Sequence, residues 1–276
     1  MLGFTARKRF GQHFLHEHAI IEKIVALINP KPTDHLLEIG PGMGALTRYL
    51  LPHVSQLNVV ELDYDLIPLL RTHCDPQQKL IVHQADALTF DFRKVVPTNR
   101  RWRLVGNLPY NISTPLLFHL LEQVDVIADM HFMLQKEIVD RLVATPGDKQ
   151  YGRLSIMLQY YCSAQKLFVV KPGAFQPAPK VDSAVVRLIP YQVLPWQAND
   201  TTLFADLVRT AFNHRRKILS NNLAKYISAE QLSTLGINPR HRPEQLLVKD
   251  YVSISNFITL SSVASPPSID TLATQK

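Results

Sequence analysis

Apolar positions along the chain alternate between two periods. Residues 19–28 repeat theirs at helical spacing, which predicts an amphipathic helix. Short apolar runs follow at 35–39, 57–60, 79–83 and 103–106, each separated from the next by a helix-like stretch, and 126–134 reads as a fifth strand. Residues 181–189 read as a late strand of a closing hairpin. Such alternation predicts an α/β fold with a parallel sheet covered by helices. The stretch 190–200 contains Pro190 and Pro195 and reads as a linker. Beyond it, 203–260 reads as several short helices, broken near Gly236-Ile237-Asn238-Pro239 and at Pro243, which predicts a small all-α domain. From Ser261 the sequence turns Ser/Pro-rich and is expected to be disordered. The chain divides into an arm at 1–16, an α/β domain at 17–192, a helical domain at 193–262 and a tail at 263–276. It has no internal repeat.

The residues that close the strand-like runs carry the chemistry. After 35–39 comes Gly40-Pro41-Gly42-Met43-Gly44, a turn of the kind that lets a cofactor approach the backbone closely. Its G-x-G-x-G spacing leans away from the dinucleotide fingerprint, although Ala45 would satisfy a looser version, and no Gly-Lys-Ser or Gly-Lys-Thr follows to make a phosphate loop. Glu61 closes the next run, 21 residues beyond Gly40, where a carboxylate can accept both hydroxyls of a ribose. Asp86 follows the third run, suited to an adenine amine or, more plainly, to capping a turn. Asn107-Leu108-Pro109-Tyr110 follows the fourth. A planar exocyclic amine shares its lone pair with its ring and becomes nucleophilic only when acceptors localise that pair. The Asn107 side-chain oxygen and a main-chain carbonyl near Leu108 can accept its hydrogens, Pro109 fixes the backbone, and Tyr110 offers a ring for stacking. The plainer reading is a proline-initiated turn with Tyr110 filling a gap. In an open parallel sheet all four turns meet at one carboxyl edge, where ligands bind.

Composition narrows the partners. The 276 residues are 46% hydrophobic, enough for a sizeable core, and carry a net charge of +7 with a pI near 9.4, which favours a polyanionic partner. Basic residues cluster at Arg7-Lys8-Arg9 and at His214-Arg215-Arg216-Lys217, the second in a segment, 203–226, of helical spacing; either is a solvated face or a phosphate contact. Cys74 and Cys162 suggest neither a disulfide framework nor a zinc cluster, and His16-Glu17-His18 falls short of H-E-x-x-H, so no metal is expected. No apolar run reaches the roughly 18 to 20 residues needed to cross a bilayer, and the N-terminus has charge without an apolar signal core. A reducing, cytoplasmic setting and a monomer are the expectations.

Several segments together resemble the class I S-adenosylmethionine-dependent methyltransferases, and specifically the bacterial small-subunit (16S) rRNA adenine N6-dimethyltransferases of the KsgA type. They are Arg9-Phe10-Gly11-Gln12-His13-Phe14-Leu15, Glu38-Ile39-Gly40-Pro41-Gly42, Glu61-Leu62-Asp63, Asp86-Ala87, Gly106-Asn107-Leu108-Pro109-Tyr110-Asn111-Ile112-Ser113, and Phe175-Gln176-Pro177-Ala178-Pro179-Lys180-Val181-Asp182-Ser183. The resemblance implies a Rossmann-like domain with a helical RNA-binding domain. It implies S-adenosylmethionine as cofactor, with Gly40 along its methionine portion, Glu61 at the ribose, Asp86 at the adenine, and His13 and Leu15 closing the site. Asn107, which borders the cofactor too, and Leu108, Pro109 and Tyr110 would hold the target adenine, with Phe175 stacking on its other face; read from the residues alone, Phe175 is equally an aromatic plug in a proline-rich loop. The family often has Asn at the position of His13, and many related amino-methyltransferases have Pro at the position of Leu108. The implied reaction converts two adjacent adenines of a 16S rRNA hairpin loop to N6,N6-dimethyladenine in an immature small subunit, as part of ribosome biogenesis. A large-subunit (23S) adenine dimethyltransferase, a non-catalytic RNA-binding assembly factor and an NAD-dependent oxidoreductase are the alternatives.

Overall fold

The protein is seen in a computed structural model that describes residues 13–75 and 77–264. The basic cluster Arg7-Lys8-Arg9, the rest of the arm before His13, and the tail beyond Ala264 lie outside the described residues. Two compact units divide the chain: residues up to Ala144 with Tyr161–Gln192, and Thr145–Tyr160 with the residues from Val193 onward.

The first unit is built on a seven-stranded sheet and a separate two-stranded ladder. In chain order its elements are β1 (Phe14–Leu15), α1 (His18–Ile28), β2 (Leu36–Ile39), α2 (Thr47–Leu50), β3 (Leu57–Glu61), α3 (Leu66–Cys74), β4 (Leu80–Gln84), β5 (Trp102–Asn107), α4 (Ser113–Leu121), β6 (Ile127–Gln135) and α5 (Lys136–Val143). After α6 (Arg153–Tyr161) come β7 (Cys162–Val170), β8 (Phe175–Gln176) and β9 (Ser183–Pro190). The large sheet runs β4-β3-β2-β5-β6-β9-β7, and β1 and β8 make a separate two-stranded ladder. The first five strands pair in parallel, while β9 lies antiparallel between β6 and β7. This is a Rossmann-like α/β sheet whose strand order reverses between β2 and β5, the place where such sheets open a crevice.

The apolar pattern explains the layering. β2 is buried on both faces at all four positions, as a central parallel strand must be. Helix α1 buries Ile21, Ile24, Val25 and Ile28 on one stripe, each contributing roughly 1.5–3 kcal/mol. Its end is tied to the sheet by Arg103, which donates to the Ile28 carbonyl at 2.7 Å and bridges the carboxylates of Asp34 and Asp129. β7 has no counterpart among the strands expected from the sequence. Its face alternates poorly, with exposed Ser163, Gln165 and Lys166, because it is the sheet's outer strand.

The second unit comprises most of α6 together with α7 (Thr201–Asn213), α8 (Leu219–Asn222), α9 (Ala229–Thr234) and α10 (Val248–Ala264). Asp200 caps α7 by accepting from the Thr202 and Leu203 N–H groups, and Ser228 with Gln231 forms a capping box on α9. The helix breaks fall where the sequence places them, at Gly236 with φ +73° and at the short turn Pro243–Gln245. Three expectations need correction. Thr145–Tyr160, assigned by sequence to the α/β domain, packs in the helical unit, because Tyr160 stacks on Phe204 with centroids 4.5 Å apart and Tyr151 is fully buried there. The expected disorder from Ser261 gives way to helix through Ala264. The basic cluster at 214–217 stands in a turn between α7 and α8 and not on a helix.

One close approach fixes the centre of the sheet. A Cβ on Gly106 would sit 2.5 Å from the Ile39 carbonyl oxygen and 3.0 Å from Leu108 Cδ2. Gly106→Ala is therefore expected to cost about 2–4 kcal/mol, because a backbone atom must move. Urea unfolding checks this, and an unchanged midpoint would contradict the packing described.

Candidate active site

A cavity of about 260 Å³ opens at the carboxyl ends of the parallel strands, lined by residues from every turn that the sequence singles out. Its walls include His13, Leu15, Gly40, Glu61, Asp86, Asn107, Leu108, Pro109 and Tyr110.

The glycine turn forms one wall. Gly40, Gly42 and Gly44 all have positive φ, and a Cβ on Gly42 would press within 3.1 Å of the Phe14 ring. The Gly42 N–H donates to Glu61 Oε2 at 3.1 Å, and the Asp63 N–H donates to Glu61 Oε1 at 2.8 Å. Both oxygens of this nearly buried carboxylate are thereby oriented. Burial pushes the Glu61 carboxyl above its ordinary value, and the N–H groups of Asp63 and Gly42 pull it partly back. Asp86 accepts from the Leu88 N–H on its Oδ1 at 2.9 Å, as a turn residue does, and also lines the cavity.

The opposite wall is the Asn107 turn. Asn107 Nδ2 donates to the His13 carbonyl at 2.9 Å, which leaves Oδ1 as the acceptor end of the amide. The Leu108 N–H donates to the Met133 carbonyl at 3.1 Å, continuing the β5–β6 pairing past the end of β5. Proline at 108 would lack that donor, so Leu108 has a backbone reason to be here. The Pro109 carbonyl accepts from Ser113 Oγ at 2.9 Å and anchors the start of α4. Tyr110 is half-buried, its hydroxyl 2.6 Å from Ser183 Oγ, and burial raises its phenol above the ordinary value. The His13 ring lies 5.2 Å from the Tyr110 ring, tilted by 31°, and its Nδ1 bonds the Pro177 carbonyl at 2.8 Å. His13 thus touches both the Asn107 turn and the loop after β8.

Phe175, expected to stack on a target base, does not line the cavity. It is paired opposite Leu15 in the β1–β8 ladder and is 1% exposed, packed in the core with Val170, Ala174 and Val185. An aromatic between small and apolar neighbours gains more from that burial than from facing a polar cleft.

Glu38, which the sequence places at the head of the glycine turn without a role of its own, also belongs to the cavity. It lines the cavity at the end of β2, is almost completely buried, and accepts from Thr47 Oγ1 at 2.7 Å. Burial pushes its carboxyl up to about 8, opposed by the Thr47 hydrogen bond and helped by the charge of Glu61. The signal for it is a lone carboxylate inside an apolar strand, directly before the glycine turn.

A model of the ribosomal RNA adenine dimethylase family matches residues 3–260. A ribosomal RNA small subunit methyltransferase A from Marinobacter nauticus is 58% identical over 256 residues, covering 93% of this chain and 92% of that protein. One from Pseudomonas syringae pv. tomato is 53% identical over 254 residues, covering 92% and 95%. Among solved structures, a dimethyladenosine transferase from Plasmodium falciparum aligns with a TM-score of 0.77 at 26% identity, over 91% of this chain and 98% of that one. The 23S rRNA methyltransferase ErmE aligns with a TM-score of 0.70 at 24% identity over 89% and 99%, a likeness of fold alone.

The Glu38 carboxyl makes a pH-dependent contribution to stability. The unfolded chain ionises it above about 4.5, whereas the fold holds it protonated to about 8, so stability is lost as pH rises through that window. Glu38→Gln should match the parent near pH 4.5 and exceed it by a few kcal/mol above pH 8, measured by urea unfolding. Parallel pH profiles for the two proteins would contradict the assignment.

Proposed function

The chain belongs to the ribosomal RNA adenine dimethylase family, and from that premise we propose how its cavity carries out the reaction. The protein is an S-adenosylmethionine-dependent rRNA adenine-N6 dimethyltransferase acting in small-subunit ribosome biogenesis. The observation that carries the assignment of roles is that one cavity joins the Glu61 and Asp86 carboxylates to the Asn107 amide and the Tyr110 ring.

The residues present fit S-adenosylmethionine. The positive-φ glycines leave the backbone open beside Glu61, whose carboxylate is already oriented by two N–H groups to accept ribose hydroxyls. Asp86, with one oxygen held by Leu88, takes the adenine amine, and Gly40 borders the methionine portion. His13 and Leu15 close the site from the side of β1, the Leu15 side chain being buried. Glu38 suits a neighbouring cation, which would favour its ionised form against the cost of burial. When bound, the cofactor supplies an electrophilic methyl on a sulfonium.

The target adenine must leave its stack to reach this cavity, which favours an unpaired loop. Asn107 Oδ1 and the Leu108 carbonyl accept the hydrogens of N6 and localise its lone pair, while Tyr110 stacks on the ring. Attack leaves N6 tetrahedral and positively charged, so its proton becomes acidic and departs to water; no side chain is needed as a dedicated base. After the first methyl only one hydrogen remains, and one of the two acceptors must release the amine before the second transfer.

RNA is held by the helical unit as well. In the basic turn, Arg216 and Lys217 are exposed, while Arg215 donates to the Tyr151 carbonyl at 2.8 Å and Asn222 Nδ2 reaches the carbonyls of Ala211, His214 and Lys217. The turn is thus anchored at its backbone while its charges stay exposed, an arrangement suited to phosphates. Identity above one half to small-subunit enzymes supports the 16S rRNA of an immature small subunit, at two adjacent adenines of a hairpin loop, over large-subunit RNA.

The test is incorporation of labelled methyl into immature small subunits by the parent and by Asn107→Ala. Loss of the acceptor oxygen is expected to lower kcat/KM about 100- to 1000-fold, far more than it lowers cofactor affinity in calorimetry. Cofactor binding by the parent without any incorporation would favour the assembly-factor reading.

A further inference from the structure

Tyr110 stands in a turn, where an aromatic ring is free to swing about two side-chain torsions unless its far end is held. Its hydroxyl is held. Ser183 Oγ lies 2.6 Å away although 73 residues separate the two in sequence. Ser183 is fully buried and opens β9, where its backbone pairs with Gln135 of β6 on one side and with Val170 of β7 on the other. Its position is therefore set by the sheet and not by a loop. On the other side of the site, the Tyr110 ring meets His13, which is tied in turn to the Pro177 carbonyl.

We propose that Ser183 is a positioning residue for the target adenine, acting through Tyr110, and that it matters most for the second methyl transfer. The proposal rests on the reading of Tyr110 as the stacking ring. In the first round the amine carries two hydrogens for two acceptors, so its orientation is fixed by hydrogen bonds as well as by stacking. In the second round one of those hydrogens is gone and a methyl has been added. The ring plane then supplies a larger share of the alignment, and a Tyr110 ring released from Ser183 samples misaligned poses.

The experiment compares the parent, Ser183→Ala, Tyr110→Phe and the double variant on immature small subunits. Nucleoside analysis reads monomethyl- against dimethyladenine. Each single variant should raise the mono-to-dimethyl ratio about five- to tenfold, the worth of one hydrogen bond. The double variant should be no worse than either single, because both remove the same bond. Ser183→Ala should also keep the parent's cofactor affinity within about twofold. An unchanged ratio in Ser183→Ala, or effects that multiply in the double variant, would overturn the proposal. If Ser183→Ala does not fold, Tyr110→Phe carries the test alone, since it keeps the ring and leaves the sheet untouched; an unchanged ratio there overturns the proposal too. A parent that makes no dimethyladenine would overturn the underlying reading of the site, an outcome distinct from these.

Discussion

The closeness of β5 to β2 at their carboxyl ends governs the site. The two strands pair in parallel where the strand order reverses, and the Ile39 carbonyl leaves no room for a side chain at Gly106. From β2 the chain enters the glycine turn, and from β5 it enters the Asn107 turn, so the two walls of the cavity leave the sheet from adjacent strands. The Leu108 N–H extends the β5–β6 pairing and delays the turn until Pro109. Asn107 is consequently both the last residue of a strand and a residue of the cavity wall, which gives its amide the rigidity of the sheet.

Charge at the site is organised by burial. Glu38 and Glu61 lie at the ends of neighbouring strands; burial raises both carboxyls, and the charge of Glu61 adds to the cost of ionising Glu38. Glu61 offsets its burial with two N–H donors, whereas Glu38 has a hydroxyl. Glu61 is therefore the carboxyl whose two oxygens are both oriented, and Glu38 the one whose ionisation burial opposes most. The methylated amine is acidic enough to lose its proton to water, so the proposed reaction runs by alignment and by acceptors and assigns neither carboxylate as a base.

Much of this is legible in the sequence for a specific reason. A parallel strand buried on both faces is a short continuous apolar run, and the turn after it must carry any polar function, so the chain alone assigns Gly40, Glu61, Asp86 and Asn107 to one edge. The sequence is less informative where tertiary packing decides. Phe175 in a proline-rich loop reads equally as a base-stacking ring or as a plug, and the pairing of β8 with β1 resolves it as a buried plug. β7 alternates too weakly to be seen, and Thr145–Tyr160 carries nothing local to say that Tyr151 and Tyr160 pack in the helical unit. Glu38 is visible as an anomaly in an apolar strand, but its burial and its partner Thr47 depend on how the next helix returns to the sheet.

The most direct measurement is a diffraction structure of the protein with S-adenosylhomocysteine, which carries the cofactor's ribose and adenine without its reactive methyl. The account predicts the ligand in the cavity between the glycine turn and the Asn107 turn, with the Glu61 carboxylate hydrogen-bonded to the ribose hydroxyls and Asp86 to the adenine amine. A ligand bound elsewhere, or one whose ribose Glu61 does not touch, would contradict it.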